Sequence, residues 1–233
     1  MSHFLPRGIC KMSSNPMGPP APPPSPRTWD ARLARRLVEP LKDSWVTPNH
    51  LTTLRLLTGM AGAACLAQGG FAWANGGALL VVLSNFIDHT DGELARISGK
   101  SSKLGHFYDL ASDAAVTILL FVSMGIGVSG QFQDAAVSAV MRGSVAGVAV
   151  ALIFFLRMRI EALAGKTATK QASVGGFETE DVLYLLPLVT LSSAVAPFLT
   201  AASIGAPLFA AWVFIDYWRV VRRTRPVTAS TRP

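Results

Sequence analysis

The sequence predicts an all-α integral membrane protein: six transmembrane helices preceded by an amino-terminal amphipathic helix at the membrane interface. Three observations carry the prediction. Charged residues make up only 15 % of the 233-residue chain, against roughly 25 % in soluble domains. Three long runs, 56–87, 114–133 and 182–215, contain no charged residue at all. The Lys and Arg residues outside those runs gather on one side of the bundle that the runs would form. A soluble bundle with buried core helices does not need charge-free runs of that length.

The elements follow in order. Residues 1–28 are rich in proline, with Pro19-Pro20 and Pro22-Pro23-Pro24 close together. Such a composition cannot pack a core and reads as a disordered or extended tail. It holds no apolar stretch of the kind a secretory signal needs. In residues 29–46, Trp29, Leu33, Leu37, Leu41 and Trp45 recur every four residues among Arg32, Arg35, Arg36 and Lys42. This pattern predicts an amphipathic helix on the cytoplasmic leaflet, bent at Pro40. The competing reading is a solvated helix packed on the rest of the protein.

Residues 47–222 form the predicted six-span domain. A span needs about 20 apolar residues. The first and third charge-free runs would each reach about 50 Å as single helices. Each therefore divides into two spans, with a turn near Gln68-Gly69-Gly70 and another near Pro197. Residues 114–133 supply one further span, and 135–156, interrupted by Arg142, supply the sixth. Gly143, Ser144, Ala146, Gly147 and Ala149 allow close helix packing within or between subunits. Residues 223–233 are a basic tail. Cys10 and Cys65 give no basis for a disulfide, and Cys65 reads as a small core residue.

Six spans put both termini on one side. The amino-terminal 55 residues fall there, as do Arg96, Lys100 and Lys103, then Arg157, Arg159, Lys166 and Lys170, and the tail from Arg219. Only Arg142 falls opposite. Cytoplasmic loops carry an excess of Lys and Arg, so that side is assigned to the cytoplasm. The net charge of +7 is then explained by topology and anionic headgroups rather than by nucleic acid.

Against this apolar background stands one acidic cluster. Asp88 and Asp91 close the second span at i and i+3, and Asp109 and Asp113 open the third at i and i+4. Each pair shares a helix face, so neighbouring antiparallel helices can point four carboxylates into one cytoplasmic mouth. Carboxylates near the bilayer are costly and mark functional sites. Four together need positive charge, and their hard oxygens suit Mg or Mn. Two divalent ions a few ångströms apart are a common clamp for displacement at phosphorus. The intervening residues fit phosphate chemistry: small Gly92 and Ala95, the fork of Arg96, the hydroxyls of Ser101 and Ser102, and Gly105 ahead of the third span.

Asp88, Asp91-Gly92, Ala95-Arg96, Gly105, Asp109 and Asp113 together match D-x2-D-G-x2-A-R-x8-G-x3-D-x3-D. In this the chain resembles the CDP-alcohol phosphatidyltransferase family, and residues 47–52, Thr-Pro-Asn-His-Leu-Thr, resemble the family's usual start of the first span. The resemblance implies transfer of a substituted phosphoryl group from a CDP-linked donor, such as CDP-diacylglycerol, to an alcohol, with release of CMP. By the same resemblance Asp88, Asp91 and Asp109 would ligate two divalent ions, and Asp113 would complete the second ion's shell and act as catalytic base. Asn49, Thr52, Gly92, Ala95, Arg96, Ser102 and Gly105 would line the CDP-donor pocket. A homodimer is implied as well.

The signature does not name the acceptor. A phosphorylated acceptor needs extra cations, for which Lys103, His106, Arg157 and Arg159 are candidates. The alternative is a CDP-choline or CDP-ethanolamine enzyme acting on a lipid alcohol. His89 and His106 flank the acidic cluster, as substrate contacts or as hydrogen-bonding neighbours of the ligands. The acidic run 177–181 either lines the acceptor cavity or caps a helix. Arg55 either snorkels or faces the polar site. A cation transporter is the non-enzymatic rival, but it predicts midplane carboxylates and repeated broken helices, and no internal repeat is present.

Overall fold

The computed structural model describes residues 29–100, 102–131, 136–164 and 183–224. The proline-rich tail, Ser101, the acidic run 177–181, Lys166, Lys170 and most of the basic tail lie outside the described residues. Those described form helices α1 (Trp29–Val38), α2 (Pro48–Gln68), α3 (Phe71–Ser98), α4 (Lys103–Gly127), α5 (Ala136–Ala164), α6 (Leu186–Leu191) and α7 (Val195–Thr224). Short 3-10 turns at Glu39–Leu41 and Ser129–Gln131 join them.

Four of these helices, α3, α4, α5 and α7, are long and apolar enough to cross a membrane. Their outward faces carry Leu79, Leu83, Val145, Leu208, Trp212 and Phe214, a distribution suited to lipid rather than water. Only 17 % of the apolar window of α7 is buried within the protein, so most of that helix is left for the bilayer to cover. α2, with 21 residues, is not among the four; it carries Asn49, His50 and Arg55. α6 has six residues, and the chain before Leu183 is outside the described set.

The α2–α3 turn falls where the glycines predict it. Gly69 and Gly70 adopt positive φ of 70° and 76°, which glycine does without the Cβ clash other residues suffer. The second expected turn is corrected. The break after α6 lies at 192–194, with Ser193 at φ 55°, and Pro197 stands within the first turn of α7. Proline fits there because that position's N–H would have no intrahelical partner anyway. Pro207, in contrast, lies inside α7.

α2 is the central helix and packs along both α3 and α4, while α5 packs on α4 and α7. Glycines set the close approach: a Cβ on Gly77 would stand 2.7 Å from the Gly62 carbonyl oxygen, and one on Gly59 would stand 2.7 Å from Val116. The main core joins Leu66, Val81, Leu120, Phe121, Met124, Leu186 and Leu199 from five helices. The small residues of α5 serve packing inside the chain. Gly147 leaves room for Ile118 of α4, and Ala146 and Ala149 are buried.

α1 ends at Val38, earlier than the predicted helix, and the bend at Pro40 is a 3-10 turn. It lies against α3 and buries Asp30, Ala31, Ala34 and Val38, leaving Leu33, Leu37 and Trp45 exposed.

Candidate active site

The acidic motif folds as its spacing predicts, and α2 supplies what joins it. Asp88 and Asp91 lie near the carboxyl end of α3, which is closed by Gly99 in the left-handed conformation (φ 65°). Asp109 and Asp113 lie in the first turns of α4. Ser102 caps that helix, its Oγ accepting from the Gly105 N–H at 2.9 Å. Carboxylate oxygens of Asp88, Asp91 and Asp109 lie within 4.8 Å of one another, the one such metal-compatible group among the described residues. Asp91 is buried, and the other two are half-buried.

Two side chains of α2 reach into this cluster from between α3 and α4. The Thr52 hydroxyl donates to Asp91 Oδ2 at 2.7 Å. The guanidinium of Arg55 spans the other three acids: Nη1 stands 2.7 Å from Asp88 Oδ1 and 3.2 Å from Asp109 Oδ1, and Nη2 pairs with Asp113 Oδ1. Ser84 on α3 donates to the Arg55 carbonyl at 2.9 Å, fixing the backbone that presents the guanidinium. Of the two roles open to Arg55 in the sequence, the structure gives it the polar site. The signal for this was its place three residues after Thr52, on the helix face that also buries Gly59 and Gly62. Its acid partners lie 33 or more positions away in the chain, beyond the reach of local pattern.

The donor set fits a divalent cation: hard oxygens, gathered within ion-bridging range, partly shielded from water. One guanidinium does not balance four clustered carboxylates, so further positive charge is favoured there.

The other signature residues lie on the same two helices, Gly92, Ala95 and Arg96 on α3 and Gly105 on α4. Gly105 lies under Asn49, whose Oδ1 would be 2.7 Å from a Cβ at that position; any side chain there would displace Asn49. A Cβ on Gly92 would meet nothing within 4 Å, so open space lies beside Asp91. Arg96 is exposed and paired with the buried Glu93. Thr47 accepts the role of helix cap for α2, with its N–H donating to His50 Nδ1 at 3.2 Å. The Thr53 and Tyr108 hydroxyls are 3.1 Å apart, a second tie between α2 and α4.

A cavity of about 600 Å³ opens from the acids into the bundle. Arg55, Asp88 and Asp113 stand at its polar end, and Phe107, Phe154, Phe155, Met158 and Leu120 line its apolar part. None of the four acceptor candidates lines it. Lys103 and His106 are exposed in the first turn of α4, Arg159 is exposed, and Arg157 lies with its guanidinium carbon 5.4 Å from the Phe209 ring centre on α7. His89, next to Asp88, turns away to pair with Asp30 of α1, its Nε2 2.8 Å from Oδ2. Tyr184 stacks on His89 and donates to the same carboxylate at 3.4 Å. This connection ties α1 to the acid-bearing helix across distant sequence and was not legible in it.

Comparison with known proteins agrees with this geometry. The sequence profile of the CDP-alcohol phosphatidyltransferase family matches residues 45–219. A bifunctional IPC transferase and DIPP synthase of Rubrobacter xylanophilus is 30 % identical over 142 residues, which is 61 % of this chain but 30 % of that protein. The chain thus spans less than a third of that relative's length. The fold is similar to the phosphatidylinositol phosphate synthase of Mycobacterium tuberculosis. The crystal structure with CDP-DAG bound gives a TM-score of 0.52 at 21 % identity, covering 88 % of this chain and 98 % of the other. A second crystal structure of that enzyme, in complex with manganese and citrate, gives a TM-score of 0.51 at the same identity, covering 88 % and 92 %.

Proposed function

We propose that this membrane protein, which belongs to the CDP-alcohol phosphatidyltransferase family, transfers the phosphatidyl group of a CDP-linked lipid to an alcohol in phospholipid biosynthesis. The observation that carries the proposal is the convergence of Asp88, Asp91 and Asp109 within 4.8 Å, with Asp113 held to the same site through Arg55.

In this reading Asp88, Asp91 and Asp109 would hold two divalent ions, Mg or Mn, and Asp113 would serve the second of them. Such ions would supply the charge that neutralises the diphosphate and stabilises the departing CMP. Asp113 takes the proton of the acceptor hydroxyl. The acceptor oxygen bonds to the phosphorus distal to cytidine, the bond from that phosphorus to the bridging oxygen breaks, and CMP leaves with that oxygen. A carboxylate is a weak base for an alcohol, so alignment and electrostatics supply most of the acceleration. Asn49, Thr52, Gly92, Ala95, Arg96, Ser102 and Gly105 border the donor. The open space at Gly92 supports approach of a flat ring or diphosphate to the α3 backbone. The apolar cavity running to Asp113 supports a substrate with a lipid portion.

A second reading keeps the chemistry and exchanges the partners: a CDP-linked small alcohol as donor and a lipid alcohol as acceptor. Among its described lining residues, the cavity carries no Lys, and Arg55 is its single Arg, which suits this reading, or an unphosphorylated alcohol in the first, better than a phosphorylated acceptor. The first reading, with a phosphorylated acceptor, draws on Lys103, His106, Arg157 and Arg159 from outside that cavity.

The test is to incubate purified protein and Mg or Mn with radiolabelled CDP-diacylglycerol and a panel of alcohols, then with CDP-choline and CDP-ethanolamine plus a lipid alcohol. The lipid product is identified by mass spectrometry. CMP release coupled to a new lipid with one donor class assigns the reading, and no CMP release with any pair would contradict both.

We further propose six spans, both termini and the acid cluster on the cytoplasmic side, α1 at the interface, and a homodimer. The one-sided distribution of Lys and Arg and the exposed Leu33, Leu37 and Trp45 support the membrane arrangement. The homodimer rests on the family resemblance, and a native mass corresponding to one chain in detergent would contradict it.

A further inference from the structure

Arg55 occupies an unusual position for a buried cation. Its side chain is 7 % exposed, and its two terminal nitrogens contact three different acids, Asp88, Asp109 and Asp113. Asp91 is left out of this grip and is served by Thr52 instead. The third nitrogen, Nε, is buried with no hydrogen-bond partner. A guanidinium built permanently into a protein usually satisfies its whole fork of donors. Here the acids alone hold the head, and the side of the fork nearest the α2 backbone is unanchored.

The acids divide accordingly into two corners. The oxygens of Asp88, Asp91 and Asp109 approach one another within 4.8 Å. The corner made by Asp88, Asp109 and Asp113 is spanned by the guanidinium. The Arg55 nitrogens contact the Asp88, Asp109 and Asp113 oxygens that a divalent ion in that corner would need, so the arginine head and the ion compete for the same oxygens, and their like charge adds to the exclusion. Asp88 and Asp109 belong to both corners, which makes the exclusion direct and not a matter of distant field.

We infer that Arg55 is a resident counter-ion that competes with the second of two divalent ions for the Asp88–Asp109–Asp113 corner. The inference rests on the metal-dependent reading above and deepens it. Before that ion arrives, Arg55 holds the ends of α3 and α4 together on α2. For the second ion to bind, the guanidinium leaves the corner. The two ions therefore bind with unequal affinity, and Arg55 sets the weaker one.

The experiment is a Mn(II) titration of the full chain in detergent, without substrate, following free ion by electron paramagnetic resonance. Wild-type protein is expected to bind two ions per chain, one tightly and one weakly. Arg55→Gln is expected to tighten the weaker binding by roughly tenfold or more while changing the tighter one much less. Arg55→Lys keeps a positive charge but lacks the fork that bridges several acids; it guards against loss of fold in the Gln variant and is expected to tighten the weaker binding to a smaller extent. Metal-free Arg55→Gln is also expected to melt below metal-free wild type, with the gap closing at saturating Mn(II). Two ions with affinities unchanged in both variants, or both affinities reduced together, would overturn the competition and leave the metal-dependent function standing. Fewer than two ions bound by the wild type would overturn that function's two-metal site, and the competition with it.

Discussion

Asp113 lies one helical turn beyond Asp109 on α4, at the polar end of an apolar cavity, where an acceptor hydroxyl would meet the donor phosphate. Replacing it by Asn keeps size and hydrogen bonding but removes the proposed base. Asp113→Asn is expected to retain fold and donor binding while CMP release falls by about 100- to 10,000-fold; turnover near wild type would show that another group takes the proton. Thr52 acts one step further out, through its 2.7 Å bond to Asp91. Thr52→Val should weaken metal affinity by about 10- to 100-fold, and rescue by high Mg with little change in limiting rate would identify the loss as one of metal binding. At this scale the sequence was informative wherever the signal was local. The four aspartates announce themselves through spacings of three and four residues, between the charge-free runs 56–87 and 114–133. The roles of Arg55, Asp30 and Tyr184 did not, because each depends on a partner on another helix. Arg96 reads from sequence as a phosphate fork, yet its fork engages Glu93, an i,i+3 neighbour.

At the scale of elements, the site depends on how closely α2 lies against its neighbours. The acids come from α3 and α4, but the residues that gather them come from the helix packed on both. Gly77 is where that approach is tightest on α3, with the Gly62 carbonyl and Leu66 filling the space a side chain would need. Gly76, its neighbour, faces open space. Gly77→Leu is therefore expected to destabilise by about 1–3 kcal/mol or more, seen as a lowered melting temperature in detergent, while Gly76→Leu leaves it unchanged or raises it. Equal melting of the two variants would mean that helix contact at this point is not tight. The elements themselves were mostly legible. Charge-free runs and a glycine pair fixed α2 and α3, because a turn with two positive φ angles selects glycine. The break before α7 was misplaced at Pro197, because proline is as comfortable in the first turn of a helix as in a turn between helices.

At the scale of the whole molecule, the one-sided positive charge supports the proposed orientation of the bundle, with its acid cluster toward the cytoplasm. In a background lacking Cys10 and Cys65, a cysteine introduced at Lys100 should react with an impermeant maleimide only from the cytoplasmic side. One introduced at Gly70 should react only from the other; labelling of both from one side would contradict the topology. Four helices are long and apolar enough to cross a membrane. α2 is not among them, because Asn49, His50 and Arg55 lower its hydropathy.

The central claim, that the aspartate quartet exists to hold paired divalent ions for phosphoryl transfer, is tested most directly by anomalous diffraction from crystals grown with Mn(II). Two peaks about 3.5–4 Å apart among Asp88, Asp91, Asp109 and Asp113 are the expected result. Enzyme that turns over in the same Mn(II) but shows no ion bound among those four side chains would contradict it.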